Sequence, residues 1–168
     1  MSKKIENLRD LFIEQGRELY DASMLVQEEL PEIQKKVSNP KLNSIIEREL
    51  LTARRENDRI EAVFKTLNES PFGERNECCA AALNHGKKMI KRSTDPRVRD
   101  AAIINSIQRL NHNKITGFGS MTAYAREIGQ ESYANALHET LLIEKALDKE
   151  LSMLAETEIN RKAAMLYA

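Results

Sequence analysis

Few side chains in this chain of 168 residues have the types and spacing to carry chemistry. Its three histidines are His85, His112 and His138, and its two cysteines are the adjacent Cys78 and Cys79. Histidine titrates near neutrality and ligates metals readily. A ligand role also needs convergent partners, and a structural or surface role is commoner for a lone histidine. In helical bundles a carboxylate-bridged di-iron centre draws on two Glu-x-x-His elements plus two further glutamates. The residues three before the histidines are Ala82, Arg109 and Asn135, and those four before are Ala81, Gln108 and Ala134, so no such element occurs. A remodelled site for iron or manganese, storing metal or reacting with peroxide, would have to draw on Glu56, His112, Glu144 and Asp148. Lys114 offers a different chemistry. Its ammonium near Glu144, Glu56 or Asp148 would supply positive charge without a metal, because an unpaired buried charge is costly. The ordinary alternative is a lysine that reaches solvent from the edge of an apolar stripe.

The other reactive groups have plainer readings. Adjacent cysteines on a helix fill small core spaces more often than they form a strained disulfide or a redox sensor. Lys87, Lys88, Lys91 and Arg92 form a basic helix end without aromatic interleaving, which is normally solvated. Gly117-Phe118-Gly119 lacks the Lys-Ser/Thr that completes a phosphate loop, and close helix packing explains it better.

The elements that position these residues are helices. Hydrophobic residues make up 41% and charged residues 31%, with 6 Gly and 4 Pro, the balance of amphipathic helices rather than a turn-rich β protein. Asn39-Pro40 and Asp95-Pro96 each place a capping side chain before a proline suited to a first helical turn. Ser70-Pro71-Phe72-Gly73 interrupts the chain, and Gly129 stands where a glycine ends a helix. Five helical blocks follow. The first runs from about Lys3 to Val37, with Pro31 able to kink or shorten it; its stripe is Ile5, Leu8, Phe12, Leu19, Val26, Leu30 and Ile33. The second, Pro40 to Leu67, carries Ile46, Leu50, Ala53, Ile60 and Phe64, with Asn57 in the same series. A short connecting helix spans Glu74 to Arg92, and His85 beside Gly86 reads as an exposed helix-end residue. The fourth block, Pro96 to Ile128, turns Ile104, Ile107, Leu110, Ile115, Phe118, Met121 and Ala125 inward, with Gln108, Asn111 and Lys114 near that face. In the fifth, Glu131 to Ala155, the face of Ala134, Leu137, Leu141 and Leu151 passes through Glu144 and Asp148. Three of the long helices thus bring polar residues to mid-bundle.

One domain over 1–168 fits this length. The 26 basic and 26 acidic residues cancel, so no global field would recruit nucleic acid or an anionic membrane. No secretory signal and no transmembrane run are legible, and two adjacent cysteines make no disulfide framework, so the expected compartment is the cytoplasm. Four long amphipathic helices with a connection of 28 residues between the second and the fourth block describe an all-α four-helix bundle, the connection being long enough to cross it.

The segments ELYDASMLVQEELPEI, RIEAVFKTL, DPRVRDAAIINSIQRLNHNKITGFGSMTAYAREIG and LHETLLIEKALDKELSMLAETEIN resemble, in order and spacing, motifs of the YciE/YciF family of bacterial stress-associated proteins. The likeness runs from about Glu18 to Arg161. It implies a ferritin-like, rubrerythrin-type bundle with a short extra helix in the long crossover, a homodimer, and acidic ligands from the four long helices pointing to the centre. The chain departs from that pattern at the ligands. Leu19-Tyr20-Asp21-Ala22-Ser23 carries Ser23 where family members have Glu, and Thr52 stands at the second-helix acidic position. Asn111-His112-Asn113-Lys114 replaces Glu-His-Tyr-Glu, and of the pair at Ile143-Glu144 only Glu144 is acidic. The expected protein is therefore a non-catalytic bundle without cofactor, acting by self-assembly or partner binding. A metalloprotein with a remodelled site is the alternative.

Overall fold

The structure is a computed structural model and describes residues 4–166. All regular structure among them is helical: α1 (Leu8–Gln34), α2 (Pro40–Leu67), α3 (Glu77–Arg92), α4 (Pro96–Glu127), α5 (Glu131–Leu154), a π-helical turn (Ala155–Ile159) and α6 (Asn160–Ala164). Local chemistry sets most of the starts. The side chains of Asn7, Asn39, Asn76 and Asp95 each accept backbone N–H groups of the turn that follows, satisfying donors that a helix N-terminus otherwise leaves unpaired. Pro40 and Pro96 occupy first turns, where the missing N–H costs nothing. At the other ends Asn68 (φ 56°) and Gly129 (φ +74°) take left-handed backbone, which closes α2 and α4.

The long helices form a ring in the order α1, α2, α5, α4. Arg48 reaches Glu150 and Arg59 reaches Glu139, so α2 and α5 are antiparallel. A Cβ at Gly16 would meet Met121 and one at Gly117 would meet Leu19, so α1 and α4 are antiparallel as well. Being the neighbour of α1 on its other side through a short turn, α2 then runs the same way as α4. The chain between them must return along the bundle, and α3 makes that return. This is the all-α four-helix bundle, with a ferritin-like crossover carrying a short helix, that the sequence implied.

Several local expectations are corrected. Helix α1 begins at Leu8, where Asn7 caps it, and Ile5 is 54% exposed rather than part of the buried stripe. The expected start at Lys3 lies outside the described residues. α1 runs through Pro31 and ends at Gln34, short of the expected Val37. α3 starts at Glu77, not Glu74, because Asn76 caps it. His85 is exposed but mid-helix, and Gly86 is buried where α3 crosses α4, a Cβ there falling 1.9 Å from Ser106 Oγ. After Leu154 the helix does not stop but widens into the π turn, which buries Ile159 and brings Glu158 to the α1–α2 connection. There its carboxylate accepts from Asn39 Nδ2 (2.9 Å), Lys41 Nζ (2.7 Å) and Lys162 Nζ (2.8 Å). Lys162, Lys41 and Asn39 together lower its pKa to about 2.

The apolar core is split in two. Phe12, Leu19, Ile60, Phe64, Phe118 and Leu137 belong to one cluster, and Val26, Leu30, Ile46, Ile103, Ile107 and Leu151 to the other. Between them lies a layer of buried polar residues, and that layer is the candidate site.

Candidate functional site

Lys114 is wholly buried on α4, one of the largest side chains with no exposure. Its ammonium faces three carboxyl groups: Glu49 Oε1 at 2.8 Å, Glu56 Oε2 at 3.1 Å and Glu144 Oε1 at 3.1 Å. All three glutamates have at most 2% side-chain exposure. Glu49 and Glu56 are seven residues apart on α2, two turns along one face, and Glu144 comes from α5. From α1, Ser23 Oγ donates to Glu56 Oε2 at 2.7 Å. From α4, the Asn111 amide, with its nitrogen turned toward the acceptors, donates to Glu49 Oε1 at 3.3 Å and to the Ile107 carbonyl at 3.2 Å. All four long helices therefore contribute to a buried polar layer organised around one ammonium.

Burial alone would drive Lys114 to lose its proton, but Glu144, Glu49 and Glu56 more than offset this and raise its pKa well above 10.5, so it stays charged. Glu144 is raised well above 4.5, first by burial and then, against the opposing pull of Lys114, by Glu56 and Glu49. On α3, the Cys79 thiol is pushed up to about 12, chiefly by burial and against the pull of Lys114, and lies 3.2 Å from Asn113 Oδ1. Both cysteines are free, Cys78 exposed and Cys79 buried.

The residues singled out from sequence separate into two groups. Ser23, Asn111, Lys114, Glu56 and Glu144 meet at the centre. His112 and Asp148 do not: His112 has 67% side-chain exposure, and its Nε2 lies 3.4 Å from Asp148 at the rim of the bundle. Asp148 also accepts from Gln108 at 3.2 Å. The remodelled set Glu56, His112, Glu144 and Asp148 is thus divided between the interior and the surface. Nor do Thr52 and Ile143 reach the centre. Thr52 is half-buried, and Ile143 is 38% exposed because it sits one residue, about 100° of helix, away from Glu144. Besides Glu56, α2 turns a second acid inward, Glu49, which sequence reasoning missed. The signal was available, since Glu49 belongs to the series of Ile46, Ala53, Glu56 and Ile60.

A di-metal centre of the bundle type needs carboxylate and imidazole ligands at about 2.0–2.2 Å from the metal. Here none of the three histidines is buried, His85 and His112 being exposed and His138 partly so, and three of the inward positions carry hydrogen-bond donors, Ser23, Asn111 and Lys114. The carboxylates close on a nitrogen at 2.8–3.1 Å. Among the described residues no group of three His, Cys, Asp or Glu is arranged to hold a metal ion. These residues do not fit a di-metal centre.

The family model described as Domain of unknown function (DUF892) matches residues 7–164. The chain belongs to this family. This DUF892 chain is 28% identical over 161 residues to Protein YciF of Escherichia coli strain K12, covering 95% of its own length and 96% of that protein. The crystal structure of the E. coli stress protein YciF is similar to it with a TM-score of 0.87 at 26% identity, over 93% of this chain and 99% of that one. YcfI from Rhodopseudomonas palustris, described as a putative structural protein, gives a TM-score of 0.86 at 26% identity, over 90% of this chain and 97% of that one. The fold of this DUF892 protein is therefore shared with these relatives along almost the whole chain.

Proposed function

We propose that this DUF892 protein is a non-catalytic, stress-associated bundle protein that holds no resident metal and acts through self-assembly, as a homodimer, or through a protein partner. The observation that carries the reading is the Lys114 ammonium within 3.1 Å of Glu49, Glu56 and Glu144. It supplies from within the chain a positive charge for inward-pointing carboxylates. A protonated lysine is neither a Lewis acid nor a redox centre, so the layer ties helices together without presenting a reacting atom. The stress association rests on the naming of YciF as a stress protein. Placement in the cytoplasm belongs to the same proposal and rests on the sequence, which shows no secretory signal and no disulfide framework; among the described residues no helix is long and apolar enough to cross a membrane.

The test is elemental analysis of protein purified without chelator, with ferrous-oxidation and peroxide-consumption assays on the same sample. The reading predicts metal well below one ion per chain and no turnover above buffer. One or two iron or manganese ions per chain, or turnover that scales with protein, would overturn it. Light scattering tests the homodimer, which a monomer mass at micromolar concentration would remove.

A further inference from the structure

Three carboxylates around one ammonium would leave two excess negative charges among side chains with at most 2% exposure. Desolvated charge of that kind is relieved by binding a proton. The hydrogen bonds show where. Glu56 accepts from Ser23 Oγ and from Lys114 Nζ, and Glu49 accepts from Lys114 Nζ and Asn111 Nδ2. Glu144 is within ion-pair distance of Nζ, yet neither of its oxygens has an aligned hydrogen-bond partner. It is the least compensated of the three, and as a carboxylic acid it can donate to Glu56, a bond that two ionised carboxylates cannot make.

We infer that the centre of the bundle is a proton-binding site: at neutral pH one proton rides on Glu144 and bridges it to Glu56 beside the Lys114 ammonium, and its release to solvent on alkalisation loosens the contact between α2, α4 and α5. The inference rests on the reading of a metal-free centre. The charged groups that act on Glu144 are Lys114 from α4 and Glu56 and Glu49 from α2; α1 presents the uncharged Ser23. Asp148, one turn along α5, is engaged by His112 and Gln108, and the Cys79 thiol of α3 is held neutral by its burial.

The sign follows from linkage. The unfolded chain ionises Glu144 near 4.5, whereas the folded chain keeps the proton to higher pH. Folding therefore takes up one proton between these limits, and stability falls as pH rises through that window. Glu144→Gln supplies a permanent N–H donor toward Glu56 and removes the titration. Relative to that variant, the wild-type unfolding constant should grow about tenfold per pH unit above pH 5, until the folded carboxyl itself ionises. Infrared spectra at pH 7 should show the C=O stretch of one protonated carboxylic acid in the wild type and in Glu49→Gln, and none in Glu144→Gln. If Glu144→Gln does not fold, the band in the wild type and Glu49→Gln still decides. No acid band at pH 7, or parallel pH profiles for wild type and Glu144→Gln, would overturn the inference. Metal content of the same samples separates the two readings: no band without metal overturns only the proton site, whereas no band with stoichiometric metal overturns the metal-free reading as well.

Discussion

Lys114→Met keeps the length and apolar stem of the side chain but deletes the charge that Glu49, Glu56 and Glu144 share. Breaking a buried ion pair by removing one partner typically costs about 3–5 kcal/mol, because the other charge is left uncompensated. Here the ammonium serves three partners at 2.8–3.1 Å and has no exposure through which water could replace it, so the upper part of that range applies near pH 8. For a domain of this size 1 kcal/mol moves the melting temperature by roughly 2–4 °C, so a loss of about 4–5 kcal/mol should make the variant melt about 8–20 °C lower. The deficit should also depend on pH. With the ammonium gone, the remaining carboxyls fold only by taking up protons, so the difference from wild type should shrink toward pH 5, where protons are abundant, and widen on alkalisation. Circular-dichroism melts of both proteins from pH 5 to pH 8 read this directly, and adding Glu56→Gln should return part of the loss at pH 8. A deficit below about 1 kcal/mol at pH 8, the worth of an exposed pair, would refute the reasoning, as would a deficit that does not change with pH.

Other regions give independent predictions. Gly86→Ala places a methyl 1.9 Å from Ser106 Oγ and 2.7 Å from Ser106 Cβ, so α3 must lift from α4 at a cost of roughly 1–3 kcal/mol in urea unfolding. Gly119→Ala meets nothing nearer than Leu141 Cδ2 at 4.0 Å and should stabilise α4 by about 0.5–1 kcal/mol in the same assay. Asp100→Ala leaves the Ser38 backbone N–H and Oγ without their acceptor, 2.9 Å and 2.5 Å away, and should lower stability by about 1–3 kcal/mol. Alkylation of the native protein at pH 8 should label Cys78 only, with Cys79 reacting after denaturation; equal labelling of both by mass spectrometry would contradict the burial of Cys79.

What the sequence could reveal depended on how local each signal is. Asn39-Pro40, Asp95-Pro96 and Gly129 act within one turn of chain, and they mark the start of α2, the start of α4 and the end of α4. The π turn has no comparable local signature: Glu158 is drawn into place by Asn39 and Lys41, 119 and 117 residues away. The centre was legible where a polar residue interrupts an apolar series, as Lys114, Glu144 and Glu56 do. It was not legible where alignment with a motif had to choose among neighbours. Motif position points to Thr52 and Ile143, but helical phase turns Glu49 inward and Ile143 outward. His112 and Asp148 flank inward residues in sequence, and the same step of about 100° per residue carries them to the rim.

The most direct measurement is an anomalous difference map from crystals of the full chain grown with manganese and ferrous ions, recorded across both absorption edges. The ammonium-centred account predicts no peak between Glu49, Glu56 and Glu144, and density for Lys114 Nζ within hydrogen-bond distance of all three. A peak among those carboxylates with the Lys114 side chain displaced would contradict it.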